Sequence, residues 1–236
     1  MISASSAVPP DWALRCGGGP LTLGNDVATT DKKSSNPSAF TVMEKLNGLY
    51  WERLVVRFKS TDPEVSYAVI SSILDARPER EWRCLNIDAS SEKYHAKNVQ
   101  RKFRGRLRVN LISSAETIVF ENEKFSFKTL LGDLYVSAFQ DGILALPPEE
   151  FVLSDHRLVK KQAGGYVTEV DDEGNHGDTF DSGKLAYWGH IKGGGRVRAS
   201  GMQVGGLGSS KSSNRPGLIG SIAKRFGRRT GPKLSS

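Results

Sequence analysis

The stretch LYWERLVVRFKSTDPEVSYAVISSILDARP, residues 49–78, decides the fold class. Its first ten residues, Leu49 to Phe58, are rich in β-branched and aromatic side chains and predict a largely buried strand. Helix punctuation follows. Asp62 suits an N-cap, Pro63 the first helical position and Glu64 the positive helix end, while Pro78 stops the run after Arg77. Val65, Ala68, Val69, Ile73 and Ala76 form one helical stripe, widened by Tyr67, Ile70 and Leu74, so this helix packs against a core.

Toward the C-terminus, Trp82 to Ile87 predicts a second strand and Asp88 to Asn98 a polar loop. Phe103, Gly105, Leu107, Val109 and Leu111 then alternate with Arg104, Arg106, Arg108 and Asn110. A two-residue period puts three guanidinium groups on one strand face. Thr117 to Glu121 and Lys124 to Thr129 read as a hairpin around Asn122-Glu123. Leu134 to Phe139 and Ile143 to Leu146 read as another, around Asp141-Gly142. After Pro147-Pro148 and the short apolar group Phe151-Val152-Leu153, the core is expected to close near Leu158.

The ends differ in composition. Residues 1–39 are rich in Ser, Thr, Gly, Pro and Asn and predict a flexible N-terminal arm, because they bury too little apolar surface to offset the entropy of ordering. Residues 161–192 read as an acidic to Gly-rich linker, partly ordered, with one strand around Tyr166 to Val170. Residues 193–236 read as a disordered basic tail with a short helix at 216–229. The expected fold is therefore α+β: one compact core at 40–160, with a mostly antiparallel sheet and at least one packed helix, between disordered terminal segments.

Charge is placed unevenly. The chain carries +7, yet no acidic residue follows Asp181, and that last stretch alone supplies +11, leaving −4 before it. Such a tail seeks phosphates and is sensitive to salt. A second concentration is Lys97, Arg101, Lys102, Arg104, Arg106 and Arg108, assigned as an anion- or nucleic-acid-binding face. In the tail, Lys224, Arg225, Phe226, Arg228 and Arg229 form a candidate targeting or membrane-surface element, with the apolar residues Leu218, Ile219, Ile222 and Phe226 on one helical face.

Familiar catalytic patterns are missing. His95, His156, His176 and His190 are scattered and pair with neither Cys16 nor Cys84, so no zinc site is expected. Gly177 to Lys184 has five residues between its glycines, not four, and Leu185 stands where a P-loop needs Ser or Thr. Gly17-Gly18-Gly19 follows no predicted strand, which argues against a dinucleotide site. The pairs Glu149-Glu150 and Asp171-Asp172 read as solvated surface. No catalytic residue, metal or cofactor is expected, and the chain reads as a non-enzyme. The absence of a secretory signal pattern, of a long apolar span and of an N-glycosylation acceptor favours a reducing, intracellular setting.

The order of elements over residues 49–146 resembles the matrix proteins of rhabdoviruses, especially plant viruses that assemble in the nucleus. The likeness rests on the apolar strand Leu49 to Phe58, the helix Glu64 to Ala76, the strand within RKFRGRLRVNL and the return hairpin. It implies a virion structural protein that binds nucleocapsid or RNA and the anionic inner membrane leaflet, self-associates, and engages a nuclear import receptor. The implied location is the host nucleus or cytoplasm, at the membrane periphery. Pro9-Pro10-Asp11-Trp12 and Pro147-Pro148-Glu149-Glu150 lack the tyrosine of a P-P-x-Y motif, and the basic arm is C-terminal. These departures leave a viral movement or capsid-type RNA-binding protein as the alternative.

Overall fold

A computed structural model describes residues 8–29, 37–120, 122–170 and 176–191. In chain order they form β1 (Leu21–Asp26), β2 (Ser38–Leu46), β3 (Leu49–Phe58), α1 (Pro63–Asp75), β4 (Trp82–Asp88), α2 (Lys93–Phe103) and β5 (Arg108–Ile112). Then come β6 (Thr117–Phe120), β7 (Glu123–Ser126), α3 (Phe127–Gln140), β8 (Leu144–Ala145), α4 (Glu150–Arg157), β9 (Val159–Gln162), β10 (Gly165–Thr168) and α5 (Asp178–Ile191). The fold is α+β with one compact core. A mixed six-stranded sheet, ordered β5-β4-β1-β2-β3-β8, is joined by two ribbons, β6-β7 and β9-β10. The β1-β2 and β2-β3 ladders are antiparallel; β1-β4, β4-β5 and β3-β8 are parallel.

Helices cover both faces of the sheet. On one, α1 and α2 bury Val69, Ile70, Ile73, Val99 and Phe103 against Leu21, Leu23, Leu85 and Ile87. On the other, α3 and α5 bury Leu131, Tyr135, Leu185 and Tyr187 with Met43 and Tyr50. The helix read from residues 62–78 starts as expected. Pro63 is its first residue, and the Asp62 carboxylate accepts the Glu64 N–H at 2.9 Å.

Several expectations are corrected. The described part of residues 1–39 is no flexible arm: Trp12 is 1% exposed and packs on Trp82, and β1 is hydrogen-bonded between β2 and β4. Glu44, fully buried on β2, draws that segment in. Its two oxygens accept the N–H groups of Gly17 (3.0 Å) and Gly19 (2.7 Å), and Arg53 Nε donates to it at 2.8 Å. A Cβ on Gly19 would stand 2.2 Å from the Lys45 carbonyl oxygen, so glycine there permits a backbone approach. Residues 1–7 and 30–36 lie outside the described residues.

The strand expected from Phe103 begins only at Arg108, and most of the expected polar loop is α2. The overlooked period is helical: Ala96, Val99 and Phe103 are the buried positions. Leu134 to Phe139 likewise belongs to a helix, in which Leu130, Leu131, Leu134, Tyr135 and Ala138 are buried. Residues 161–192 are not a linker either. They include the β9-β10 hairpin and α5, whose Phe180, Leu185, Ala186, Tyr187 and Trp188 complete the core, which thus runs well past residue 160. The tail at 193–236, with its proposed helix and Lys224, Arg225, Phe226, Arg228 and Arg229, lies outside the described residues, as does Asp171-Asp172. Among the described residues no helix is long and apolar enough to cross a membrane.

The Glu44 brace has a pH signature. Burial raises its pKa, but the donors from Gly17, Gly19 and Arg53 outweigh burial and the net shift is downward. A lowered carboxyl stabilises the fold above its unfolded pKa of about 4.3, and that contribution is lost as pH falls through the folded value. Glu44→Gln should therefore cost about 3 kcal/mol at pH 7, the scale of breaking a buried ion pair. The deficit should shrink on acidification below about pH 4, as measured by urea unfolding at several pH values.

Candidate active site

Two apolar strands end in aspartate at the same place. The parallel β1-β4 register sets Asn25 opposite Ile87, so the next residues, Asp26 and Asp88, finish side by side at the carboxyl ends. Along β1, Thr22 and Gly24 face α5, and Asp26 shares their side by two-residue alternation. Thr22 Oγ1 donates to the Ala186 carbonyl at 2.8 Å, and on β4 Asn86 Nδ2 donates to the Leu185 carbonyl at 2.7 Å.

α5 lies on the strands with little in between. A Cβ on Gly24 would stand 2.0 Å from the Ser182 carbonyl oxygen and 2.5 Å from the Ala186 nitrogen. Within α5, a Cβ on Gly189 would meet Cys84 Sγ and Thr22 Cγ2, each at 2.8 Å. Glycine at both places lets backbone meet sheet. The acidic first turn of α5, carrying Asp178 and Asp181, is thereby delivered to the end of β1.

The helix start is fixed by Asp155 of α4. Its carboxylate accepts the N–H groups of Gly177 at 3.1 Å and Thr179 at 2.7 Å, and Arg57 Nη1 lies 3.5 Å away. Gly177 takes φ +72°, a left-handed turn that favours glycine. Beneath α5, Glu52 and Tyr135 share a buried hydrogen bond, and the Tyr135 hydroxyl lies 3.0 Å from His156 Nε2. Burial pushes Glu52 up to about 8, so this support is neutral at pH 7.

Like charges gather at the carboxyl ends. The Asp26 pKa is raised well above the carboxylate range, first by burial and then by the charges of Asp181, Asp178 and Asp88; Lys184 opposes the shift. Asp178, 1% exposed, is pushed up to about 7 by burial and by Asp155 and Asp181, with Arg57 opposing. Asp178 Oδ2 is buried without a hydrogen-bond partner. The buried Lys184 ammonium donates to Asp181 Oδ1, and Asp88 Oδ1 accepts the Ser90 N–H at 2.8 Å.

Carboxylate oxygens are the donor set of hard divalent cations. Four acids and an orphaned buried oxygen fit such an ion by the chemistry of the donors, although among the described residues no three of them are gathered closely enough to hold a metal ion.

The basic residues singled out in the sequence lie elsewhere. Lys97, Arg101 and Lys102 are on α2, Arg104 caps it, Arg106 is in the following turn and Arg108 opens β5. They do not share a strand face. Lys102 Nζ pairs with Glu64 at 3.0 Å and Arg106 with Asp75 at 2.5 Å. Sequence reading missed Asp26, Asp88, Asp178, Asp181 and Lys184. The available signal was an apolar run closed by aspartate in both LTLGND and LNID.

No protein-family model and no curated protein sequence matches the chain. Its fold is similar to that of solved phage large-terminase structures. The large terminase nuclease of thermophilic phage G20c with bound magnesium aligns at TM-score 0.55 and 16% identity, over 73% of this chain and 82% of that one. The large terminase of a second thermophilic bacteriophage, in complex with ADP, aligns at TM-score 0.52 and 10% identity, over 73% of this chain but 40% of its own. Another crystal form of that second terminase gives 0.51 and 12%, over 76% and 41%. This chain thus spans about 40% of the length of that larger terminase.

At these identities the likeness is one of fold, and it overturns the resemblance to rhabdovirus matrix proteins. The order strand, helix, strand over residues 49–146 is shared by many folds; the sheet order and the strand β1 that precede and organise it were not in that comparison. The matrix-type function and the movement- or capsid-type alternative fall with the resemblance. So does the reading as a non-enzyme, since a neighbour of similar fold is a terminase nuclease with bound magnesium.

The Gly24 contact can be tested directly. Gly24→Ala should lift α5 off β1, costing about 2 kcal/mol, the scale of overpacking a tight core. The melting temperature should fall by about 6 °C for a chain of this size, as calorimetry would show, whereas Gly105→Ala, where a Cβ meets open space, should leave it unchanged.

Proposed function

We propose that this chain is a metal-dependent nuclease that cleaves phosphodiester bonds in DNA. One observation carries the reading: Asp26 and Asp88 converge with Asp178 and Asp181 at the carboxyl ends of adjacent parallel strands, with one carboxylate oxygen left buried and unpartnered. Clustering acids there destabilises the fold unless protons or a cation offset them. The magnesium-bound nuclease neighbour with the same fold supports that choice of ion and reaction.

Asp26, Asp88 and Asp181 would hold divalent metal, with Asp178 at its margin. When bound, such ions supply Lewis-acid polarisation of the phosphate and a water made acidic enough to attack. The chain's own groups set the stage. Lys184 donates to one oxygen of Asp181 and leaves the other oxygen for a ligand. The Ser90 N–H donates to Asp88 Oδ1 at 2.8 Å, and Ser114 Oγ, 3.5 Å from Oδ2, orients the same carboxylate. Asp155 holds the first turn of α5 in place and keeps Asp178 and Asp181 pointed at the strand ends.

With manganese or magnesium, the full chain should cleave plasmid DNA, and EDTA should stop it. Asp26→Asn and Asp181→Asn should each lower the rate by about 10²-fold or more, the scale of removing one electrostatic contributor. Metal-independent cleavage, or an Asp26→Asn variant with full activity, would refute the reading.

A further inference from the structure

The acidic centre repels the polymer it is proposed to cut, so affinity for the phosphate backbone has to come from cations elsewhere on the molecule. A groove of about 500 Å³ beside the edge strand β5 is lined by Lys97, Gln100, Arg101, Arg104, Arg108 and, at its floor, Leu107 and Val109. We propose that this groove is a second DNA-backbone site that holds the duplex while the acids act on it. It rests on the nuclease reading for the identity of the polymer.

The spacing fits. Lys97, Arg101 and Arg104 stand at i, i+4 and i+7 on α2 and its cap, all exposed, so they make one stripe about 10 Å long at 1.5 Å per residue. One DNA strand advances a phosphate about every 3.4 Å of axis, so the stripe spans about three phosphates. Like charges at i, i+4 destabilise a helix on their own, and among the described residues these three make no ion pair. Lys102 and Arg106 are already engaged by Glu64 and Asp75. Arg108 continues the lining, its Nε donating to Asn110 Oδ1 at 2.7 Å. Tyr94, three residues before Lys97 and 80% exposed, extends the stripe with a ring that can stack on a base or sugar.

The groove and the acids lie on the same strand pair. In the parallel β4-β5 register Arg108 is opposite Cys84 and Ile112 is opposite Asp88, so the groove and the acidic centre lie at opposite ends of one strand pair, about 13 Å apart at 3.3 Å per residue. By alternation Arg108 and Asn110 share a side of the sheet, and Asn110 Nδ2 donates to Asn86 Oδ1 at 2.7 Å, on the side that meets α5. A backbone seated on α2 can pass round the open edge of β5 to Asp88. A membrane surface fits less well: the site is concave, and Tyr94 is its only large exposed apolar neighbour among the described residues.

Fluorescence anisotropy of the full chain with a labelled DNA duplex of about 30 base pairs, in EDTA between about 50 and 200 mM NaCl, reads binding without cleavage. K97Q/R101Q/R104Q should reduce the slope of log affinity against log salt by about 2.7, or about 0.9 for each phosphate released, and weaken binding by about 10²-fold at low salt. R101Q alone should reduce the slope by about 0.9 and serves if the triple variant melts early. K102Q/R106Q, which removes cations already paired, should leave the slope unchanged. Equal weakening by that control, an unchanged slope in the triple variant, no duplex binding by the wild type, or a loss confined to K224A/R225A/R228A/R229A would each overturn the proposal. D26N separates the two readings: it should keep the groove's salt slope while losing cleavage, and if it cleaves normally the nuclease reading fails while the binding result still decides the groove.

Discussion

The approach of α5 to β1 at Gly24 sets the distance between two acidic ends, one on a strand and one on a helix. Without a side chain at that point the helix backbone rests on the strand, and Asp178 and Asp181 reach the carboxyl end of β1. Gly189 on the helix makes the second contact, against Cys84 and Thr22, and Asp155 holds the first turn from the other side. Hydrogen bonds from Thr22 and Asn86 to carbonyls of α5 then fix the helix along its axis.

Carboxylates in this molecule meet the cost of leaving water in three different ways. Glu44 is surrounded by donors and its pKa is lowered. Glu52 has a single tyrosine partner, and burial keeps it protonated at neutral pH. Asp26 and Asp178 face mainly other carboxylates, and their pKa values rise through burial and mutual repulsion together. In the first two settings the protein resolves the cost of burial internally; in the third it does so only by taking up protons or a cation. Strongly perturbed groups gathered at one end of a sheet are a common mark of function.

Much of the fold was legible in the sequence, and the site was not. Asp62, Pro63 and Pro78 bounded α1 because capping is local chemistry, and Trp82 to Ile87 and the Asn122 turn were read from composition. Asn47-Gly48, both at positive φ, close the β2-β3 hairpin with the residues such a turn demands. β1 was lost because LTLGND is short and follows a glycine-rich stretch, so its burial depends on Glu44 some twenty residues later. α2 was read as loop and strand because its apolar positions are few among many charges. α5 was masked by two glycines and a charged first turn, features that look like linker until the close packing on β1 explains them. The acids come from three separate segments, and only the parallel register of β1 and β4, with α5 across them, brings them together.

A cation held by Asp26, Asp88 and Asp181, with Asp178 at its margin, should displace protons from the carboxyls whose pKa values burial and mutual repulsion raise. Isothermal titration calorimetry of manganese into the full chain at pH 6, repeated in buffers of different ionisation enthalpy, measures that displacement without reference to cleavage. The observed heat should vary with the buffer, showing release of at least about one proton per binding event, and this variation should disappear in D26N/D178N. Heats that are the same in every buffer, or manganese binding that is unchanged in the double variant, would contradict this reading.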